Sequence, residues 1–292
     1  MNKAQFLNAE SVQSFIKWIA PKLDKSGGFK HAYIMKRPNG VLWECDSIYS
    51  AFENYKWAFT CKHPVSSKSL KGETFEECRE LLGELASGLR NSVVENDVQT
   101  CQEYCFSILD WGGVLGTETR GNKKYVINKG ESITSYLKDC NDRLNSDSFD
   151  TKGNYKDIIM TAGFTKIYSL LIVDFVIYDG RVGAALGLLV RTFCEETGLK
   201  SIPQELLFAF GNAKGDPYGI ENRRNPSKNI FKFPQLTQNT KHTENNVRAN
   251  WLLEEIINKS ESSFNLIDSS IRLRALESAL FMIGYDVKQK IF

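Results

Sequence analysis

The chain of 292 residues has no stretch near the ~18 consecutive apolar residues that a membrane-spanning helix needs. Its first residues, MNKAQFLNAESVQSF, lack the basic and apolar blocks of a signal peptide. No membrane partner is expected, and the expected location is cytoplasmic. An excess of one charge is also missing. Lys+Arg 37 against Asp+Glu 35 leave +2, which neither demands nucleic acid nor excludes it. The seven cysteines, at 45, 61, 78, 101, 105, 140 and 194, contain no Cys-x-x-Cys pair, so the usual zinc and redox-dithiol spacings are absent. Scattered and odd in number, they read as buried thiols in a reducing compartment. His31, His63 and His242 lack metal-ligand spacing, and neither a metal nor any other cofactor is expected. There is no P-loop, no dinucleotide fingerprint, no Gly-x-Ser-x-Gly elbow, no internal repeat and no low-complexity tract.

What is present is a core-forming complement of 42% apolar residues, arranged mostly with a helical period. Val12, Phe15, Ile16 and Ile19 share one face, and residues 75–89 and 94–108 repeat the pattern, as a packed helical pair would. Between them, HAYIMKRPNGVLWEC places Pro38-Asn39-Gly40 between two runs of β-formers, a hairpin signal. The strongest helical pattern is Val182, Ala185, Leu186, Leu189, Val190 and Phe193. Further helices are expected around 247–257 and 271–283, the latter closed by Gly284. The polar break LNSDSFDTKGNY suggests a boundary near 150, giving regions 1–150 and 151–292. The expected fold class is mainly α with a small β hairpin in the N-terminal half.

Two charged residues punctuate the most apolar stretch, FTKIYSLLIVDFVIYDGRV. Singly, Asp179 is an ordinary helix N-cap and Lys166 a first-turn lysine. Together they admit another arrangement. A helix over 165–172 rises about 12 Å, and an extended return through Asp174–Tyr178 covers about 16 Å, so the chain can bring a carboxylate back beside an amine. Two helix N-termini then converge on a patch suited to a sugar–phosphate backbone, with Lys166 as a shielded nucleophile and Asp179 as the group that takes up its proton.

The run AGFTKIYSLLIVDFVIYDGRV resembles the helix-hairpin-helix DNA glycosylases, particularly their 8-oxoguanine glycosylase-like branch. Gly163, Thr165 and Lys166 match the hairpin, and Asp179 with Arg181-Val182 matches the catalytic cap. The likeness is close over about twenty residues and loose over 150–285. Phe164 stands where the family has its second hairpin glycine, no Leu-Pro-Gly precedes it, and the gap from Lys166 to Asp179 is shorter than in well-studied members. The resemblance implies a helix-hairpin-helix glycosylase-like fold, DNA as partner, base flipping, and excision of a damaged or modified base with Lys166 and Asp179 catalytic. DNA contacts are then expected at Gly163, Thr165 and Arg181. The segment 211–250 carries seven Lys/Arg against three acids, and its residues Arg223, Arg224, Lys228 and Lys232 are further candidates. Trp111 in DWGGV, with Gly112 and Gly113 permitting close backbone approach, and Phe164 and Tyr178 are candidate base-pocket rings, each with a core reading beside it. The rival function is a DNA-binding or assembly subunit that keeps the scaffold without the chemistry, in repair or in defence against foreign DNA. The sequence identifies no particular protein partner.

Overall fold

The computed structural model describes residues 1–36, 40–148, 155, 157–213, 221–236 and 240–288. Helices dominate, joined by two small antiparallel hairpins. The chain opens with α1 (Lys3–Leu7) and α2 (Glu10–Ile19), then the hairpin β1 (His31–Met35) and β2 (Val41–Cys45), paired from His31↔Cys45 to Met35↔Val41. The expected hairpin is present, although its turn residues 37–39 lie outside the described residues. After α3 (Ile48–Glu53) comes a second hairpin, β3 (Phe59–Lys62) with β4 (Ser69–Gly72). It was not legible in the sequence, because four-residue strands give two buried and two exposed positions in β3 and no longer alternation.

The helical pair follows as α4 (Phe75–Val94) and α5 (Val98–Trp111). Thr74 starts α4 with a capping box: its hydroxyl accepts from the Glu77 N–H at 3.3 Å, while the Glu77 carboxylate accepts from the N–H groups of Glu73 and Thr74. Next come α6 (Asn122–Lys129), α7 (Ile133–Leu144), α8 (Phe164–Leu171), α9 (Gly180–Glu196), α10 (Thr240–Lys259) and α11 (Ser269–Ile283). No helix among the described residues is long and apolar enough to cross a membrane.

The chain divides into two compact units. The first comprises Met1–Tyr55, Tyr178–Thr237 and Glu244–Phe292, where α11 packs on α3 and α9. The second comprises Lys56–Ile177 with Gln238–Thr243, and there α4 and α5 pack on each other and on α8. Of the polar break expected near 150, residues 149–154 and 156 lie outside the described residues. All seven cysteines are buried; burial pushes the Cys45 thiol up to about 12 and those of Cys61 and Cys194 to about 11.

Candidate functional site

Lys166 belongs to the second unit and stands in the first turn of α8, all eight of whose residues are buried. Its stem occupies the space left by a missing side chain. A Cβ on Gly112, at the end of α5, would fall 2.5 Å from Lys166 Cδ and 2.7 Å from Cε. Gly112 has φ −74° and ψ −5°, a conformation open to any residue, so room for the lysine rather than backbone freedom accounts for glycine here. The side chain leans back toward the helix start, as helical side chains do, and Nζ donates to the carbonyl of exposed Ala162 at 2.9 Å.

The start of α8 is organised by a residue that sequence reasoning missed. Thr161 Oγ1 accepts from the N–H groups of Gly163 at 3.2 Å and Phe164 at 3.1 Å, and donates to Asn122 Oδ1 at 2.7 Å. The Thr165 N–H donates to the Thr161 carbonyl and the Lys166 N–H to that of Gly163. Gly163 and Thr165, where DNA contacts are expected, are both buried, and their N–H groups donate inside the unit to Thr161 Oγ1 and to the Thr161 carbonyl. Phe164 is fully buried, 6.2 Å edge-on from Tyr125, and Trp111 is nearly so. Their rings pack in the second unit's core, the alternative named for each. The Trp111 indole N–H is enclosed without an acceptor among the described residues.

Asp179 belongs to the first unit and caps α9 as expected. Its Oδ1 accepts from the N–H groups of Arg181 at 2.8 Å and Val182 at 3.2 Å. Tyr178 beside it is core: fully buried, with its hydroxyl donating to the Ala209 carbonyl at 2.6 Å. Between α8 and α9 the chain turns at Asp174, which adopts φ 53°, and then runs without helix to the cap.

Around Asp179 stands a cluster of guanidinium groups held by aromatic rings. Arg181 lies 4.1 Å from the ring centroid of Phe281 and 4.9 Å from that of Tyr285, and Arg223 lies 4.8 Å from Tyr285. Tyr285 stacks on Tyr33 at 4.9 Å, and Tyr33 on Trp43 at 4.8 Å. Arg181 keeps some exposed surface as a residue, yet its guanidinium is enclosed by protein. Burial depresses its pKa, against which the Asp179 carboxylate acts. Arg224 donates from Nη1 to the Asn212 carbonyl at 3.3 Å; burial, with the Arg181 charge next, pulls it down to about 10. The end of α11 reaches this cluster because residue 284 is glycine. Any Cβ there would strike the Arg181 backbone, whereas its φ of −77° is ordinary.

Lys228 and Lys232 lie nearby in the same unit, both exposed. Lys228 and Phe231 exchange backbone hydrogen bonds of 3.0 Å across a turn, and Arg191 on α9 anchors the loop through the Pro226 carbonyl at 2.5 Å. Lys288 joins them, donating to the Ser227 carbonyl at 3.4 Å; burial first, then the charges of Arg191 and Lys232, hold its amine below the usual range. The Arg223 carbonyl accepts from the Val287 N–H at 2.7 Å. One basic stripe therefore runs from Arg224 through Arg223 and Lys288 to Lys232. The charge excess of 211–250 found its arginines and Lys232, with Lys228 beside it, but missed Lys288 and the rings of Phe281 and Tyr285, for which the i, i+4 aromatic pair was the available signal. Among the described residues no group of His, Cys, Asp or Glu could hold a metal ion. Comparison with protein-family models, curated proteins and solved structures finds no match for this chain.

Proposed function

We propose that the protein binds DNA and excises a damaged or modified base, with Lys166 as nucleophile and Asp179 as the essential carboxylate. One observation carries this reading: a short helix bearing Lys166 is followed by a turn, a non-helical return and a carboxylate N-cap on the next helix. That is the local order the resemblance implies. Support for DNA comes from the stripe of Arg224, Arg223, Lys288 and Lys232, whose positive charge suits a phosphate backbone.

In this reading the Lys166 amine attacks the anomeric carbon as the bond to the base breaks. The base leaves with the electron pair of that bond, and the sugar opens to a Schiff base that can lose its 3′ phosphate by elimination. Asp179 takes up the amine proton and stabilises positive charge developing on the sugar. Lys166 must exchange its bond to Ala162 for one to substrate. Incubation with single-stranded and duplex oligonucleotides carrying different modified bases should release one class of base, and Asp179→Asn should abolish release. Release that survives that substitution sinks the assignment.

A second reading is favoured by the same geometry. The Lys166 amine already bonds to a backbone carbonyl, and the hairpin N–H groups are engaged, as suits a glycosylase-like DNA-binding or assembly subunit without chemistry. It expects DNA binding with no base release from any member of the panel.

A further inference from the structure

The arginine cluster beside Asp179 differs from the rest of the stripe. Lys228 and Lys232 are solvated, as is usual for side chains tracking an exposed backbone. In contrast, Nε and Nη1 of Arg223 and Nε of Arg224 are enclosed with no hydrogen-bond acceptor among the described residues. Enclosed guanidinium nitrogens without acceptors are costly, and here, among the described residues, the Asp179 carboxylate acts on Arg181 and Arg224 while the Arg223 charge opposes it at both. The protein keeps them close by ring stacking on Tyr285 and Phe281 and by the Asn212 carbonyl.

From this arrangement we infer that Arg223 and Arg224, with Arg181 behind them, form a binding site for a phosphate monoester dianion, such as the terminal phosphate of a nucleic-acid strand or a free phosphate compound. Three considerations lead there. Among the described residues the three guanidiniums against Asp179 leave an excess of two positive charges, which matches a monoester with close to two negative charges at neutral pH and exceeds the single charge of an internal diester. Forked guanidinium donors match the oxygens of phosphate in pairs. The donors are enclosed by their own unit, which suits a compact terminal group better than a strand continuing in both directions. The terminal-phosphate form deepens the DNA reading and rests on it; the anion site itself does not.

The test uses the full chain. Affinity is measured for oligonucleotides of one sequence bearing either a terminal phosphate, at the 5′ or the 3′ end, or hydroxyls only. The melting temperature is followed with inorganic phosphate, and with chloride at matched ionic strength. A terminal phosphate should tighten binding about tenfold or more, and Arg224→Gln should bring the phosphorylated and hydroxyl strands to one affinity. Because the substitution also removes an enclosed charge, the unliganded variant should melt no lower than the parent. Stabilisation by inorganic phosphate that Arg224→Gln abolishes, without discrimination between strands, supports the site and assigns it to small phosphate compounds. Equal affinities together with no phosphate-dependent shift overturn the proposal. If the variant fails to fold, the comparison of ligands on the parent protein still decides. Base release is read separately in the Asp179→Asn experiment, so failure here leaves the excision reading standing, and the reverse also holds.

Discussion

At the scale of single residues, Asp179 does two jobs that can be separated. Its Oδ1 caps α9, and its charge acts on Arg181 and Arg224. Asparagine keeps the cap but loses the charge, whereas alanine loses both. In urea unfolding, Asp179→Ala should therefore be less stable than Asp179→Asn by about 1 kcal/mol, the usual worth of an N-cap. Equal stabilities would show that the cap contributes nothing. Gly112 offers a second case. Because a Cβ at 112 falls 2.5 Å from Lys166 Cδ, Gly112→Ala should push the lysine stem aside, costing ~1–3 kcal/mol as overpacking does. Covalent capture of substrate by Lys166 should fall more than DNA binding does. Unchanged capture would mean the stem shifts freely. From sequence, Gly112 was legible as a point of close approach, but what approaches it was not, since α8 lies over fifty positions later in the chain.

At the scale of elements, periodicity read α2, α4, α9 and α11 well, because each carries an apolar face longer than two turns; the window 94–108 ran across the break before α5, since Val94 ends α4 with its side chain exposed. The start of α8 was read less well. Gly163 looked like a hairpin glycine, yet the hydroxyl that organises this end comes from Thr161, two residues earlier, and is itself held by Asn122 from α6. A contact of that range leaves no local pattern. Gly284 was expected as a cap and is one, but packing explains its identity: a side chain there would strike the Arg181 backbone. Gly284→Ala should accordingly destabilise the protein by ~1–3 kcal/mol, measured by urea unfolding, and weaken DNA binding by disturbing Arg181. A neutral effect would show that the ends of α9 and α11 part without cost.

For the whole molecule, the mainly helical class was legible in composition and period, while the two interleaved units were not. Their boundaries follow contacts rather than sequence breaks: residues 1–55 join residues 178–237 and 244–292. His31 gives this scale a pH signature. It is buried in the first unit with Nε2 2.9 Å from the Asp286 carbonyl oxygen, and desolvation depresses its pKa despite the hydrogen bonds that oppose it. In the unfolded chain it titrates near its ordinary value of ~6.5. The unfolded state therefore binds more protons between that value and the lower folded one, and its contribution to stability falls as pH drops through that window. Urea unfolding at pH 7.5 and pH 5 should show a loss that His31→Gln reduces. An identical pH dependence in the variant would remove His31 from the account.

The central claim joins Lys166 and Asp179 in one reaction, and borohydride trapping tests it most directly. The full chain is incubated with DNA carrying an abasic or modified site, reduced, and resolved by mass. The expected result is one covalent protein–DNA adduct that disappears in Lys166→Ala while DNA binding persists. No adduct on any substrate, or an adduct of equal yield in Lys166→Ala, contradicts it.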